Sequence, residues 1–300
     1  MATTATLGQK RQRKSDDCSA MSLETAAKKP HKEPSPIQQL FQTFQKELDH
    51  RHDKYERIVK CSRDITIQSK RTIFLLHRCL DEKTRAKTLE EAAGKFAGIK
   101  ELFKKIAKEL LHEDCYQFIR AYSPGLQEFV EAFSFWHFLK HKTLVPFENI
   151  CKELVFENDG EKTASEEVQK EVLNPPEGSA PPQAPGVPGQ TIQVPIPPAE
   201  YILGIADLTG ELMRLAINSV GQGNLKTPTE ICEMLRNIHD EFIMFENQQR
   251  GLSKKLEVLK NSLKKVENTC YNIHIRGSEV PENMLANLIA SSNDSSADGQ

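Results

Sequence analysis

From about residue 37 to residue 80 the chain contains no glycine and no proline. Strands seldom exceed ten residues, so a run of this length predicts a helix. Its apolar residues bear this out. Ile37, Leu40, Phe41, Phe44 and Leu48, then Tyr55, Ile58, Val59, Ile65, Ile73 and Leu76 recur at the three- and four-residue intervals of one helical face. The same period marks about 85–111 (Leu89, Phe96, Ile99, Phe103, Ile106, Leu110), about 113–140, and a short stretch at about 146–156. It returns from Glu200 to Val220, through Ile231, Leu235, Ile238 and Phe242, and from about 252 to 274 through Leu252, Leu256, Leu259, Leu263, Val266 and Tyr271. No alternating β segment of any length interrupts the series. The expected fold is all-α, a bundle of six or seven helices.

Breakers divide these elements. Ser123-Pro124-Gly125 predicts a kink, or a restart with Ser123 as N-cap and Pro124 at the first helical position. Gly221-Gln222-Gly223 is a helix stop, and Thr227-Pro228-Thr229-Glu230 reads as a capping box opening the next helix. The helical domain is expected to span 37–285. Residues 158–197, rich in Pro, Gly, Ser and Glu, read as a disordered insertion, and 286–300 as a disordered tail. Residues 1–36 are too polar to order themselves. Their two basic clusters, Arg11, Arg13 and Lys14, then Lys28, Lys29 and Lys32, are spaced like a bipartite nuclear import signal, though a solvated basic arm has the same composition.

The formal net charge of −2 excludes whole-chain attraction to nucleic acid or membrane, so any charge-driven partner must be met locally. No run approaches the roughly 18 apolar residues of a membrane helix. The seven scattered cysteines include no CxxC pair and fit a reduced, intracellular setting. P-loop, GxSxG and Rossmann fingerprints are absent, and the histidines lack metal-ligand spacing.

Two helices carry an anomaly. In Leu126–Leu139, nine of fourteen residues are apolar, so the helix should be buried nearly all round, yet Glu128 and Glu131 lie on one side of it. In the helix ending at Val220, Glu200, Asp207, Glu211, Arg214 and Asn218 fall within about 40° of one line among Ile, Leu, Ala, Met and Val. Buried carboxylates persist only when paired or bound to metal. Pooled, these acids offer hard oxygens to Mg²⁺ or Mn²⁺, which would activate a water and stabilise phosphate charge. The alternative, common in helical bundles, is a structural salt-bridge network in which Arg120 and Arg214 neutralise them. A helical di-iron site is disfavoured because neither of these two helices carries an ExxH motif. On the first helix, Lys60, Arg63, Lys70, Arg71 and Arg78 share a sector of about 100°. Such a face could follow a phosphate backbone, or merely be solvated.

Residues 51–78 (RHDKYERIVKCSRDITIQSKRTIFLLHR), 125–139 (GLQEFVEAFSFWHFL), 201–223 (YILGIADLTGELMRLAINSVGQG) and 265–281 (KVENTCYNIHIRGSEVP) resemble the translin family, in its translin-associated factor X branch. The resemblance covers 37–285 apart from 158–197. It implies a bundle of about seven helices and assembly with translin into a hetero-octamer enclosing RNA. It also implies a Mg²⁺-dependent endoribonuclease that removes nicked passenger strands in activating the RNA-induced silencing complex and processes other small RNAs, including tRNA fragments. The expected substrates are single-stranded RNA or nicked small RNA duplexes, with single-stranded DNA a further ligand. The expected locations are cytoplasm and nucleus. The family's acids carry over to Glu128, Glu131 and Asp207 as metal ligands, and to Glu211 as a fourth catalytic acid. Pro124 departs from the smooth helix the family pattern leads one to expect. The competing reading is a non-catalytic adaptor that stabilises translin, binds nucleic acid and governs nuclear transport.

Overall fold

The computed structural model describes residues 35–79, 82–158, 191–246, 248 and 251–276. The basic arm, the middle of the insertion and the tail lie outside them. In chain order the elements are α1 (Pro36–Leu76), α2 (Glu82–Glu109), α3 (Cys115–His141), α4 (Phe147–Lys152), β1 (Val155–Glu157), β2 (Thr191–Gln193), α5 (Pro198–Val220), α6 (Lys226–Ile243) and α7 (Leu252–Arg276). Seven helices make an all-α fold, as expected from the periodicity.

Two compact units divide the chain after Glu47. In the first, the opening turns of α1 leave Ile37, Leu40, Phe41 and Phe44 between 49% and 68% exposed. The amphipathic pattern was sound, but among the described residues this apolar face stays exposed. The second unit, from Leu48 onward, holds the core. There α3 is buried nearly all round from Gly125 to Leu139, and its Phe129 and Phe133 stack at 5.6 Å between ring centroids. Phe96 of α2 meets Phe133 edge-on at 5.3 Å, and Phe103 meets Phe129 at 5.1 Å. Trp136 Nε1 donates to the Leu89 carbonyl at 3.1 Å.

Helix α3 runs through Pro124 without a break. Pro124 forfeits the bond to the Arg120 carbonyl, but Gly125 N–H donates to the buried Ser62 hydroxyl of α1 at 3.1 Å. The true cap is Asp114, whose side chain accepts from Tyr116 N–H at 3.0 Å. Ser123 is therefore no N-cap, and its hydroxyl donates to Glu200 at 2.6 Å. A β-carbon on Gly125 would stand 2.7 Å from the Ser62 carbonyl oxygen. One on Gly204 of α5 would stand 2.7 Å from Val130 of α3. Bare backbone at these two positions lets α1 and α5 close directly onto α3.

Three expectations of local structure change. The capping box at Thr227 does not form. Asn224 Oδ1 accepts from Lys226 and Thr227 N–H at 3.2 and 3.1 Å, while Thr227 and Pro228 are buried in the first turn of α6. Residues 191–197, read as part of the insertion, belong to the fold. Strand β2 pairs antiparallel with β1 and buries Ile192, followed by Val194 and Ile196. Their alternation was hidden by interleaved prolines and by the shortness of the strand. Tyr271, assigned to the apolar side of α7, is 66% exposed.

Candidate functional site

All four singled-out carboxylates face one pocket. Glu128 and Glu131 of α3, Asp207 and Glu211 of α5, Lys70 and Phe74 of α1, and Lys255 of α7 line a cavity of about 540 Å³, with Arg214 and Val258 at its edge. The two glutamates are there because they sit three residues apart on α3. The α5 pair sits four apart on the helix that Gly204 allows to pack closely against α3.

The two pairs differ in electrostatic setting. Glu131 is 8% exposed, and no hydrogen bond or ion pair is formed by its carboxyl among the described residues. Burial, compounded by the charges of Glu128, Asp207 and Glu211, pushes its pKa up to about 8. The Glu128 carboxyl is raised as well. Burial and the neighbouring acids outweigh Lys70, whose Nζ lies 3.6 Å from Glu128 Oε2. Asp207, by contrast, accepts from Lys255 Nζ at 2.5 Å. That ammonium also donates to Gln127 Oε1 at 3.2 Å and to the Leu203 carbonyl at 3.1 Å. Glu211 is bonded to His77 Nε2 and paired with Arg214 at 3.3 Å. Burial alone would raise the Glu211 carboxyl, but His77 and Arg214 bring it below the ordinary glutamate value.

The expected arginine network is therefore half right. Arg214 pairs with Glu211, but Arg120 lies exposed in a separate groove with Tyr55, Arg63 and Pro124. Glu200, on the same stripe of α5, bonds Ser123 and Gln127 instead of lining the pocket. Of the cationic face on α1, Lys70 reaches the pocket; Lys60, Arg63, Arg71 and Arg78 are exposed.

Sequence reasoning missed Lys255 and His77. Neither carries a local motif, and their roles arise from helices distant in sequence. Among the described residues no three acidic, histidine or cysteine side chains converge closely enough to hold an ion as they stand. The donor set still suits a hard divalent cation. Four carboxylates crowd one pocket, and Glu131 has no counter-charge in direct contact. An ion could use Glu128 and Glu131 directly, and Asp207 once Lys255 yields it.

Comparison with known proteins agrees with this architecture. Residues 53–277 match the Translin family model. Over 257 residues, 85% of this chain and 84% of the relative, the chain is 46% identical to Translin-associated protein X of Mus musculus. It is 28% identical to the Translin-associated protein X homolog of Schizosaccharomyces pombe over 80% of the chain and 89% of the relative. With Translin of Mus musculus, identity is 24% over 80% of this chain and 94% of the other. The crystal structure of AfC3PO shares the fold, with a TM-score of 0.52 at 19% identity over 83% of this chain and 97% of that one. That of apo-NeC3PO gives 0.51 at 20% identity over 76% and 94%. With more than half its residues matched by the family model, the chain belongs to the translin family.

Proposed function

We propose that this chain is the catalytic subunit of a Mg²⁺-dependent endoribonuclease formed with translin, and that the acidic pocket is its active centre. The observation that carries this is Glu131. A carboxyl this buried, with no direct partner and three other carboxylates around it, is costly unless the site exists to receive positive charge. Glu128, Glu131 and Asp207 would hold the Mg²⁺ or Mn²⁺. When bound, the ion supplies an activated water and offsets charge on the phosphodiester. Glu211, held by His77 and Arg214, would complete the shell of the ion or orient a water there by accepting a hydrogen bond from it. Lys70, exposed at the pocket edge, places a phosphate of the strand, with Lys60, Arg63, Arg71 and Arg78 along the same face extending its track.

The partnership rests on the name and identity of the relatives and on the uncovered apolar side of α1, where Ile37, Phe41 and Leu48 are 65% to 68% exposed. Translin in a hetero-octamer is the partner this reading supplies. Its substrates would be single-stranded RNA and nicked small RNA duplexes, cleared in cytoplasm and nucleus during silencing-complex activation and tRNA-fragment processing. Single-stranded DNA would be a further ligand.

The decisive experiment replaces Glu128 and Glu131 by Ala in the complex reconstituted with translin and follows cleavage of single-stranded RNA in Mg²⁺. Loss of cleavage by an intact assembly is expected. Undiminished cleavage refutes the assignment.

One observation favours a non-catalytic adaptor that stabilises translin and governs its nuclear transport. Glu128, Asp207 and Glu211 each have a cation nearby, and Lys255 occupies an Asp207 oxygen that an ion could use. An adaptor would bind nucleic acid with the same affinity in Mg²⁺ and in chelator, and calorimetry would detect no Mg²⁺ binding at the pocket.

A further inference from the structure

Phe74 has no place in the core. Its neighbours Ile73 and Leu75 are 6% and 7% exposed, whereas Phe74 is 75% exposed at the edge of the acidic pocket. It also stands in the middle of the cationic face of α1. Lys70 lies about one turn before it and Arg78 about one turn after it, at intervals of about 6 Å along the helix axis. All three are exposed.

We infer that Phe74 is a stacking platform for an unpaired base of the RNA strand and sets the preference of the pocket for single strands. This rests on the reading of the pocket as a ribonuclease centre. Cation, ring and cation in sequence offer contacts to phosphate, base and phosphate, the order in which a single strand supplies them. In a duplex both faces of a base are taken by its neighbours, so only an unpaired nucleotide can lie on the ring. The alternative occupant, an apolar surface of a partner protein, fits less well. Interface centres are depleted of charge, and Phe74 is flanked by Lys70, Arg71 and Arg78, of which Arg71 and Arg78 make no ion pair among the described residues.

The test uses the full chain assembled with translin, in chelator so that no cleavage is needed. An oligoribonucleotide carrying one fluorescent base analogue among uridines is titrated, beside a matched abasic strand. Phe74→Ala should weaken binding of the base-bearing strand by between about fivefold and a hundredfold, the range for one lost stacking partner. It should leave the abasic strand unaffected. Phe74→Trp should restore binding and the quenching of the analogue, and Phe74→Leu should not. Because Phe74 is exposed, none of these variants should shift the melting temperature. Equal loss on both strands overturns the inference, as does rescue by leucine. So does unchanged affinity accompanied by altered assembly in light scattering, which would make Phe74 a subunit contact. The catalytic reading is judged separately, by cleavage in Mg²⁺ after Glu131→Ala, so either can fail without the other.

Discussion

Helices α3 and α5 each bring two carboxylates to the same pocket, yet treat them in opposite ways. On α3, Glu131 is enclosed with no direct partner and Glu128 has only a cation 3.6 Å away, so both carboxyls are raised. On α5, Asp207 is clamped by Lys255, and Glu211 by His77 and Arg214. The cause lies in what packs over each helix. The acids of α3 meet one cation, Lys70 of α1 beside Glu128, and none in contact with Glu131, whereas those of α5 meet Lys255 of α7, His77 of α1 and Arg214. One pair is thus poised to take a cation, and the other is already neutralised.

If that asymmetry serves catalysis, the α3 pair should be the less replaceable. Glu131→Ala or Glu128→Ala should lower kcat for RNA cleavage by about a thousandfold or more, the scale of losing a group that acts directly on transition-state charge. Glu211→Gln keeps the bond to His77 and should cost about tenfold. Single-turnover cleavage in Mg²⁺ measures both. Equal losses at the two helices would break the comparison.

A second consequence concerns stability. The folded-state pKa of Glu131 is raised to about 8, so the fold favours its neutral form. That contribution is fully present below the ordinary glutamate pKa and is lost as pH rises through about 8. Glu131→Gln has no proton to lose. In chelator at pH 9 it should be more stable than the native chain by on the order of 5 kcal/mol, and at pH 4 nearly equal to it. Urea unfolding at the two pH values checks this. A variant no more stable at pH 9 than at pH 4, relative to the native chain, would mean that the carboxylate is satisfied after all.

The third prediction tests the contact that sets the two pairs side by side. In Gly204→Ala the added methyl would meet Val130 at 2.7 Å and the Gln127 carbonyl at 2.9 Å. Neither is a flexible chain end. Overpacking of this kind should cost about 2 kcal/mol and part the acids. Cleavage should then fall by more than the loss of folded protein explains, whereas activity tracking the folded fraction would show that the spacing of α3 and α5 is not critical.

The reach of the sequence follows the same division. Helical period was enough for all seven helices, and the anomaly of acids in apolar helices marked Glu128, Glu131, Asp207 and Glu211, with Glu200 beside them, because both are properties of single segments. What period could not supply was partners across helices. Lys255 and His77 look like surface residues until α7 and α1 are laid against α5. Arg120 shares a sector with Glu128 on paper but lies beyond Pro124 and faces the other groove. Strand β2 was missed because three residues between prolines carry too little alternation to register. The apolar side of α1 was legible, but a single chain cannot say which of its faces await another.

The smallest effect is expected at Lys255, and it bears most directly on what the clamp is for. Its ammonium holds Asp207 Oδ2 at 2.5 Å, one of the two oxygens that carboxylate could offer a divalent cation. Its side chain lines the pocket from α7. Lys255→Met keeps most of the apolar stem while removing the charge. If Lys255 competes with the ion, the variant should bind Mn²⁺ about tenfold more tightly, the worth of one charge-assisted hydrogen bond. Water-proton relaxation enhancement measures that affinity directly. Weaker binding would mean that the ammonium positions Asp207 for the ion, and the α5 pair would then be as poised as the α3 pair. The direction of the change therefore decides whether α5 holds its acids in reserve or in readiness.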